Sequence, residues 1–187
     1  MKKRLIILLI FLWSPDVYAG LGYSYSLTLS EYDRDTGYYL KSIKTTEKGG
    51  FLEGDNTKTT DIYIYFPAEE KGVYVFNGNN KDKIVSVLYE TNFDGKWNAV
   101  IFNDQDSASI KNNVGVKKRD LKQKILIETY NEETETYSLW LTSKSAENTK
   151  KIKQISKYND WHIDVLNSKI RIVKENKKSI TIENIEW

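Results

Sequence analysis

Short stretches in which side chains alternate between apolar and polar, each closed by turn residues, fill this chain and direct it toward β-structure. In "YSYSLTL", Tyr23, Tyr25, Leu27 and Leu29 alternate with Ser and Thr. "DIYIYF" (61–66) sets Ile62, Ile64 and Phe66 on one face and Tyr63 and Tyr65 on the other, the pattern of a strand covered on both sides. "GVYVFNGNN" runs into a Gly/Asn turn after Phe76. "KIVSVLYE" and "KWNAVIFN" flank Asp94-Gly95, and "KILIETY" and "TYSLWLT" flank "NEETE"; both read as hairpins. "WHIDVLN" and "KIRIVKE" meet at Asn167-Ser168, and "SITIENI" follows "NKK".

Spacing of roughly 8–12 residues between turns predicts about ten to twelve short strands, hence an antiparallel β-sandwich or barrel. Pro67 stands directly after "YIYF", where it ends a strand. The spacing of Ile152 and Ile155 within "SAENTKKIKQISKY" predicts one short helix near 145–158. A second, charged stretch, "KKRDLKQK" (117–124), is a weaker helical candidate. Trp97, Trp140 and Trp161 recur in successive hairpins, which leaves a small β-propeller-like array as the alternative architecture.

The amino terminus has a different character. Lys2-Lys3-Arg4 precede nine apolar residues, Leu5–Trp13, then Ser14-Pro15 and a small-residue junction at Val17-Tyr18-Ala19. This is the pattern of a secretory signal peptide over residues 1–19. Nine apolar residues fall short of the roughly 20 that a membrane-spanning helix needs. No cysteine is present, so lipid attachment through one is excluded, and "WSPD" (13–16) belongs to the export segment and not to a blade. The mature chain is then a single β-rich domain, residues 20–187, long enough for a proper core.

Cleavage changes the charge. The whole chain has 28 Lys+Arg and 26 Asp+Glu; removing Lys2, Lys3, Arg4 and Asp16 leaves 25 of each. A neutral mature chain lacks the basic field that nucleic acid or an anionic membrane requires. Its charge is uneven, with 9 basic and 14 acidic residues over 20–110 and 16 basic and 11 acidic over 111–187. Folding the two halves together mixes these charges on one surface. With no Cys, and Met1 lost, thiol catalysis, thiolate metal sites and disulfides are excluded. The Lys/Asn/Ile-rich composition and the style of the leader indicate a bacterium, with the protein in the periplasm or released.

Motifs that carry chemistry are sparse. His162 is the single histidine. In "DWHID", strand alternation places Asp160, His162 and Asp164 on one face and Trp161, Ile163 and Val165 on the other. An Asp–His–Asp face can bind a metal or orient a base, but zinc sites want more His or Cys and no Gly-x-Ser-x-Gly elbow is present. A solvated outer face over a buried Trp is the simpler expectation. Asp33, Asp35 and Gly37 are spaced like part of a calcium loop, yet Lys44 stands where the closing Glu belongs, and a plain turn accounts for them. Asp104 and Asp106 carry a weaker version of the same pattern. Glu69-Glu70 and Glu132-Glu133 read as solvated turn charges. No cofactor is expected.

The aromatic supply is the better lead. The mature chain keeps Trp97, Trp140, Trp161 and Trp187 and twelve Tyr. Tyr38, Tyr39, Tyr63, Tyr65 and Tyr74 are the candidates for a binding surface, together with the basic cluster Lys117, Lys118 and Arg119, near Lys122 and Lys124. The expectation is an exported envelope protein that binds without catalysis, occluding a protein partner as immunity proteins and enzyme inhibitors do. Competing readings are a carbohydrate- or peptidoglycan-binding module, marked by coplanar exposed aromatics, and a subunit of a surface assembly, marked by an unpaired edge strand. The third is a hydrolase, marked by two carboxyls in one cleft with a raised pKa.

Overall fold

In the computed structural model, described over residues 26–49, 55–91, 100–104, 109–111 and 119–187, the protein is an all-β sandwich of three sheets. The first sheet has the order β1 (Ser30–Tyr32), β2 (Tyr39–Glu47), β3 (Asn56–Phe66), β4 (Lys71–Tyr74). The central sheet contains β5 (Lys83–Thr91), β6 (Ile101–Phe102), β8 (Lys124–Asn131), β9 (Thr136–Ser143) and β10 (Lys150–Ser156), in the order β10-β9-β8-β5-β6. The third sheet has the order β13-β12-β11-β7, built from β7 (Ile110–Lys111), β11 (Asp160–Asp164), β12 (Lys169–Asn176) and β13 (Ser179–Glu186). Among the described residues all pairings are antiparallel except β7 with β11. Among the described residues the strands fall into three sheets, with neither a closed barrel nor a ring of blades.

The central sheet is apolar on both faces, and this sets the stacking. Along β8, Ile125 and Ile127 point toward the first sheet, where they meet Leu40, Ile62, Ile64 and Phe66. Leu126, between them, points toward the third sheet, where it meets Trp161, Ile163, Ile170 and Ile172. Strand β8 is thus covered on both faces, as is β5, whose Leu88 points to one core and Val87 and Tyr89 to the other. In β3, Ile62 and Ile64 are fully buried, whereas Tyr63 and Tyr65 are half-exposed on an outer face.

Several expected elements fall elsewhere. Ser26–Leu29, the described part of "YSYSLTL", runs beside the sheet outside the ladder, held by Ser42 Oγ on the Leu29 N–H and Thr59 Oγ1 on the Leu27 carbonyl. The Asp94-Gly95 hairpin, Asp106, Trp97 and the export segment lie outside the described residues. The hairpins at 132–135, 165–168 and 177–178 form as the sequence indicates, with Glu135 and Ser168 both at φ 51°. Glu69-Glu70 and Glu132-Glu133 lie exposed in turns.

The helix expected near 145–158 does not form. Ala146 and Asn148 take φ of 62° and 57°, which breaks a helix at its start, and Lys150–Ser156 is strand β10. The three-residue spacing has a different cause. The register of β10 on β9 slips between Lys151 and Lys153, so Ile152 is the extra residue of a bulge. Ile152 and Ile155 then pack into the same core. Residues 119–123, the described part of the other helical candidate, are irregular and lead into β8.

Candidate binding surface

The first sheet carries the candidate surface, and register creates it. Residues directly opposite each other on antiparallel strands project from the same face. Tyr32 pairs with Tyr39, Tyr39 with Tyr65, and Tyr65 with Gly72, forming one row across β1 to β4. Ser30, Lys41, Tyr63 and Tyr74 form the adjacent row. Five tyrosines therefore share one face, while the interleaved Leu40 and Ile64 point into the core and anchor the sheet from behind. Tyr32 and Tyr74, on the two edge strands, are 61% and 50% exposed, and the three inner tyrosines are half-buried against them.

The rings are held in place. Tyr63 and Tyr74 lie 5.1 Å apart between ring centres, with planes at 57°. The Tyr63 ring lies over Gly72, where any Cβ would overlap it, so the missing side chain makes room for the ring. Tyr39 shares a hydrogen bond with Ser30 Oγ. Tyrosine gives a large amphipathic contact area with few rotors to freeze, and the surrounding strands fix much of that in advance.

Two residues first counted with this surface belong elsewhere. Tyr38 turns inward, its ring edge-on to Phe66 at 4.7 Å, because it lies one residue out of phase with Tyr39. Arg119 is held in a fork by the buried carboxylate of Glu90, with Nη1 and Nη2 at 2.8 and 2.5 Å. Lys117 and Lys118 lie outside the described residues. Tyr32 joins the surface; it was missed because "EYDRD" shows no alternation long enough to mark a strand.

Behind one end of the sheet lies a buried ionic network. The turn at 33–37 closes by a Gly37 N–H to Asp33 carbonyl bond, with Gly37 at φ 75°. Between its two aspartates sits a lysine ammonium: Lys144 Nζ is 2.8 Å from Asp33 and 3.6 Å from Asp35. Burial pushes the Asp33 carboxyl up, but hydrogen bonds from Lys144 and Thr36 outweigh it and hold the group below its ordinary range. Tyr89 donates to Glu31, and burial beside that carboxylate raises its hydroxyl far above the usual phenol range. The Asp33–Lys144 and Glu90–Arg119 pairs each join the acidic first half of the chain to the basic second half, so the charge imbalance is partly consumed inside the fold.

The "DWHID" face forms as alternation requires, with Trp161, Ile163 and Val165 buried behind it. Asp164 on that face is buried and held by Arg171 Nη2 at 2.6 Å and by Asn167. Its carboxylate serves the β11–β12 turn. His162 is opposite Arg171 in the register and, with Asp160, lines a cleft that also contains Glu128. Asp104 is exposed.

Compared with protein-family models, with curated proteins and with solved structures, the chain matches none. Among the described residues no helix is long and apolar enough to cross a membrane.

Proposed function

We propose that this chain is an exported protein of the bacterial envelope, periplasmic or released, that acts by binding and occluding a protein partner, in the manner of an immunity protein or enzyme inhibitor. The observation that carries the reading is the set of five in-register tyrosines on one outward sheet face. Aromatic residues, Tyr among them, are enriched where protein interfaces gain their affinity. The face is also rigid, because its strands are fixed from behind by buried isoleucines and leucine. The 57° between Tyr63 and Tyr74 favours a protein over a sugar chain, which stacks best on coplanar rings.

The test is capture of binding material from the envelope and culture fluid of the source cells by tagged residues 20–187, read by mass spectrometry. A second bait carries Tyr32→Ser and Tyr74→Ser, two exposed positions outside the core. The expected result is one stoichiometric protein held by the parent and lost by the variant. Equal retention on both baits, or retention by wall polysaccharide alone, would overturn the reading.

A second reading, a subunit of a surface assembly, draws on β13. It is an edge strand that pairs with β12, and it exposes Ile180 and Ile182 at 64% and 54%. Sedimentation separates the two readings, since an assembly subunit self-associates without any partner.

A further inference from the structure

Two glutamates, Glu90 on β5 and Glu128 on β8, share the parity of Leu88 and Leu126 and so project from the same face of the central sheet. Each accepts the indole N–H of a tryptophan: Trp187 reaches Glu90 at 2.7 Å and Trp161 reaches Glu128 at 2.5 Å. There the likeness ends. Glu90 also receives the Arg119 fork and the Lys122 N–H, which completes its shell. Glu128 receives the indole and, among the described residues, nothing else.

Glu128 is partly buried, whereas the fully buried carboxylates all have fuller shells. Asp33 has Lys144, Thr36 and Thr91; Asp61 takes the N–H groups of Ile62, Phe76 and Gly78; Asp164 has Arg171 and Asn167. No described side-chain oxygen is both fully buried and unpaired, so the free oxygen of Glu128 opens onto the space beside it. That space is a cleft of about 570 Å³ walled by Tyr137, Trp161, Asp160 and His162. The titratable groups around it are Asp160, His162, Tyr137 and Lys157, and Lys157 is already paired with Glu135 at 2.5 Å. Burial, only partly offset by the indole bond, raises the Glu128 carboxyl above its ordinary range.

We propose that this cleft binds the guanidinium group of an arginine side chain presented on a peptide, which completes Glu128 as Arg119 completes Glu90. A guanidinium supplies the two-pronged donor that a carboxylate accepts best, and its plane and stem pack on aromatic rings such as Tyr137 and Trp161. Asp160 at the mouth adds a second negative charge. The site is independent of the tyrosine face.

The test is a titration followed by NMR on the assigned Trp161 indole N–H, with the capped tripeptide Gly-Arg-Gly as probe. Its citrulline counterpart and free guanidinium at equal concentration are the comparisons. The expected result is a saturable shift with the arginine peptide, absent with citrulline, and weakened tenfold or more in Glu128→Gln. Because a proton on Glu128 competes with the cation, affinity should rise as pH is raised through the titration of that carboxyl. Glu128→Gln can keep the indole bond through its amide oxygen, so its own indole signal verifies that the wall is intact. Tyr32→Ser/Tyr74→Ser should bind the peptide like the parent, which separates this site from the partner surface. No saturable shift, equal binding of citrulline, or unchanged binding in Glu128→Gln overturns the proposal. A shift with free guanidinium but not with the peptide overturns the peptide as its source.

Discussion

Glu90 and Glu128 stand at two ends of one sheet face, each bonded to a tryptophan, and the chain treats them differently. At Glu90 the fold supplies a guanidinium from its own sequence, buries the carboxylate fully, and obtains a joint between β5, the 119–122 segment and Trp187. At Glu128 the described residues supply the wall but no counter-charge. A buried carboxylate with a full shell adds structure; a partly buried one with a single donor is held at an energetic cost. The lesson is that acidic residues on one sheet face must be compared by their partners as well as by their burial, which is complete at Glu90 and partial at Glu128.

The largest effect should come from breaking the complete site. Arg119→Met leaves Glu90 buried without its cation and is expected to lower stability by about 3–5 kcal/mol, as removal of one partner of a buried ion pair does. Urea unfolding measures this, and a loss below about 1 kcal/mol would mean that the two glutamates are not different in kind.

The same substitution made at both sites sharpens the contrast. Glu90→Gln puts an amide NH₂ among donors and should cost about 1–3 kcal/mol. Glu128→Gln should instead raise the melting temperature at neutral pH. The sign follows from linkage: a carboxyl whose folded pKa is raised contributes stability that is fully present below its unfolded pKa, and that contribution is lost as pH rises through the folded value. Gln carries no such loss, so the gain should fade as the pH falls toward about 4. Thermal melts across pH read both variants, and a destabilised Glu128→Gln would remove the premise of the open site.

The smallest effect is the control. Lys169 and Glu186 form an exposed pair at the end of the β12–β13 hairpin. Lys169→Ala should change stability by less than about 0.5 kcal/mol, against the several kilocalories at Arg119. A comparable loss at both would show that charge count, not enclosure, controls these pairs.

The β12–β13 hairpin and the β8–β9 hairpin were legible in the sequence because alternation and turn residues are local signals, set by the two-residue period of a strand and the backbone needs of a turn. The buried side of "DWHID" was legible for the same reason. β10 was not, because a bulge gives Ile152 and Ile155 the spacing of a helix, and a bulge is defined only against the neighbouring strand. Four of the five surface tyrosines could be named in advance as candidates, but alternation within one strand says nothing about which strand lies alongside. Tyr38 looked equivalent to Tyr39 until register separated them.

By itself, then, the sequence determined the β-class, the turn positions, the absence of thiol chemistry and the supply of tyrosine, all properties of composition and short-range pattern. Only the tertiary structure decided that five tyrosines from four strands share one face, that Arg119 is committed to Glu90, and that Glu90 and Glu128 differ. These outcomes depend on pairing across separations of up to 111 residues, as between Asp33 and Lys144. Such pairing is fixed by stacking three sheets on two cores, and no local pattern encodes it.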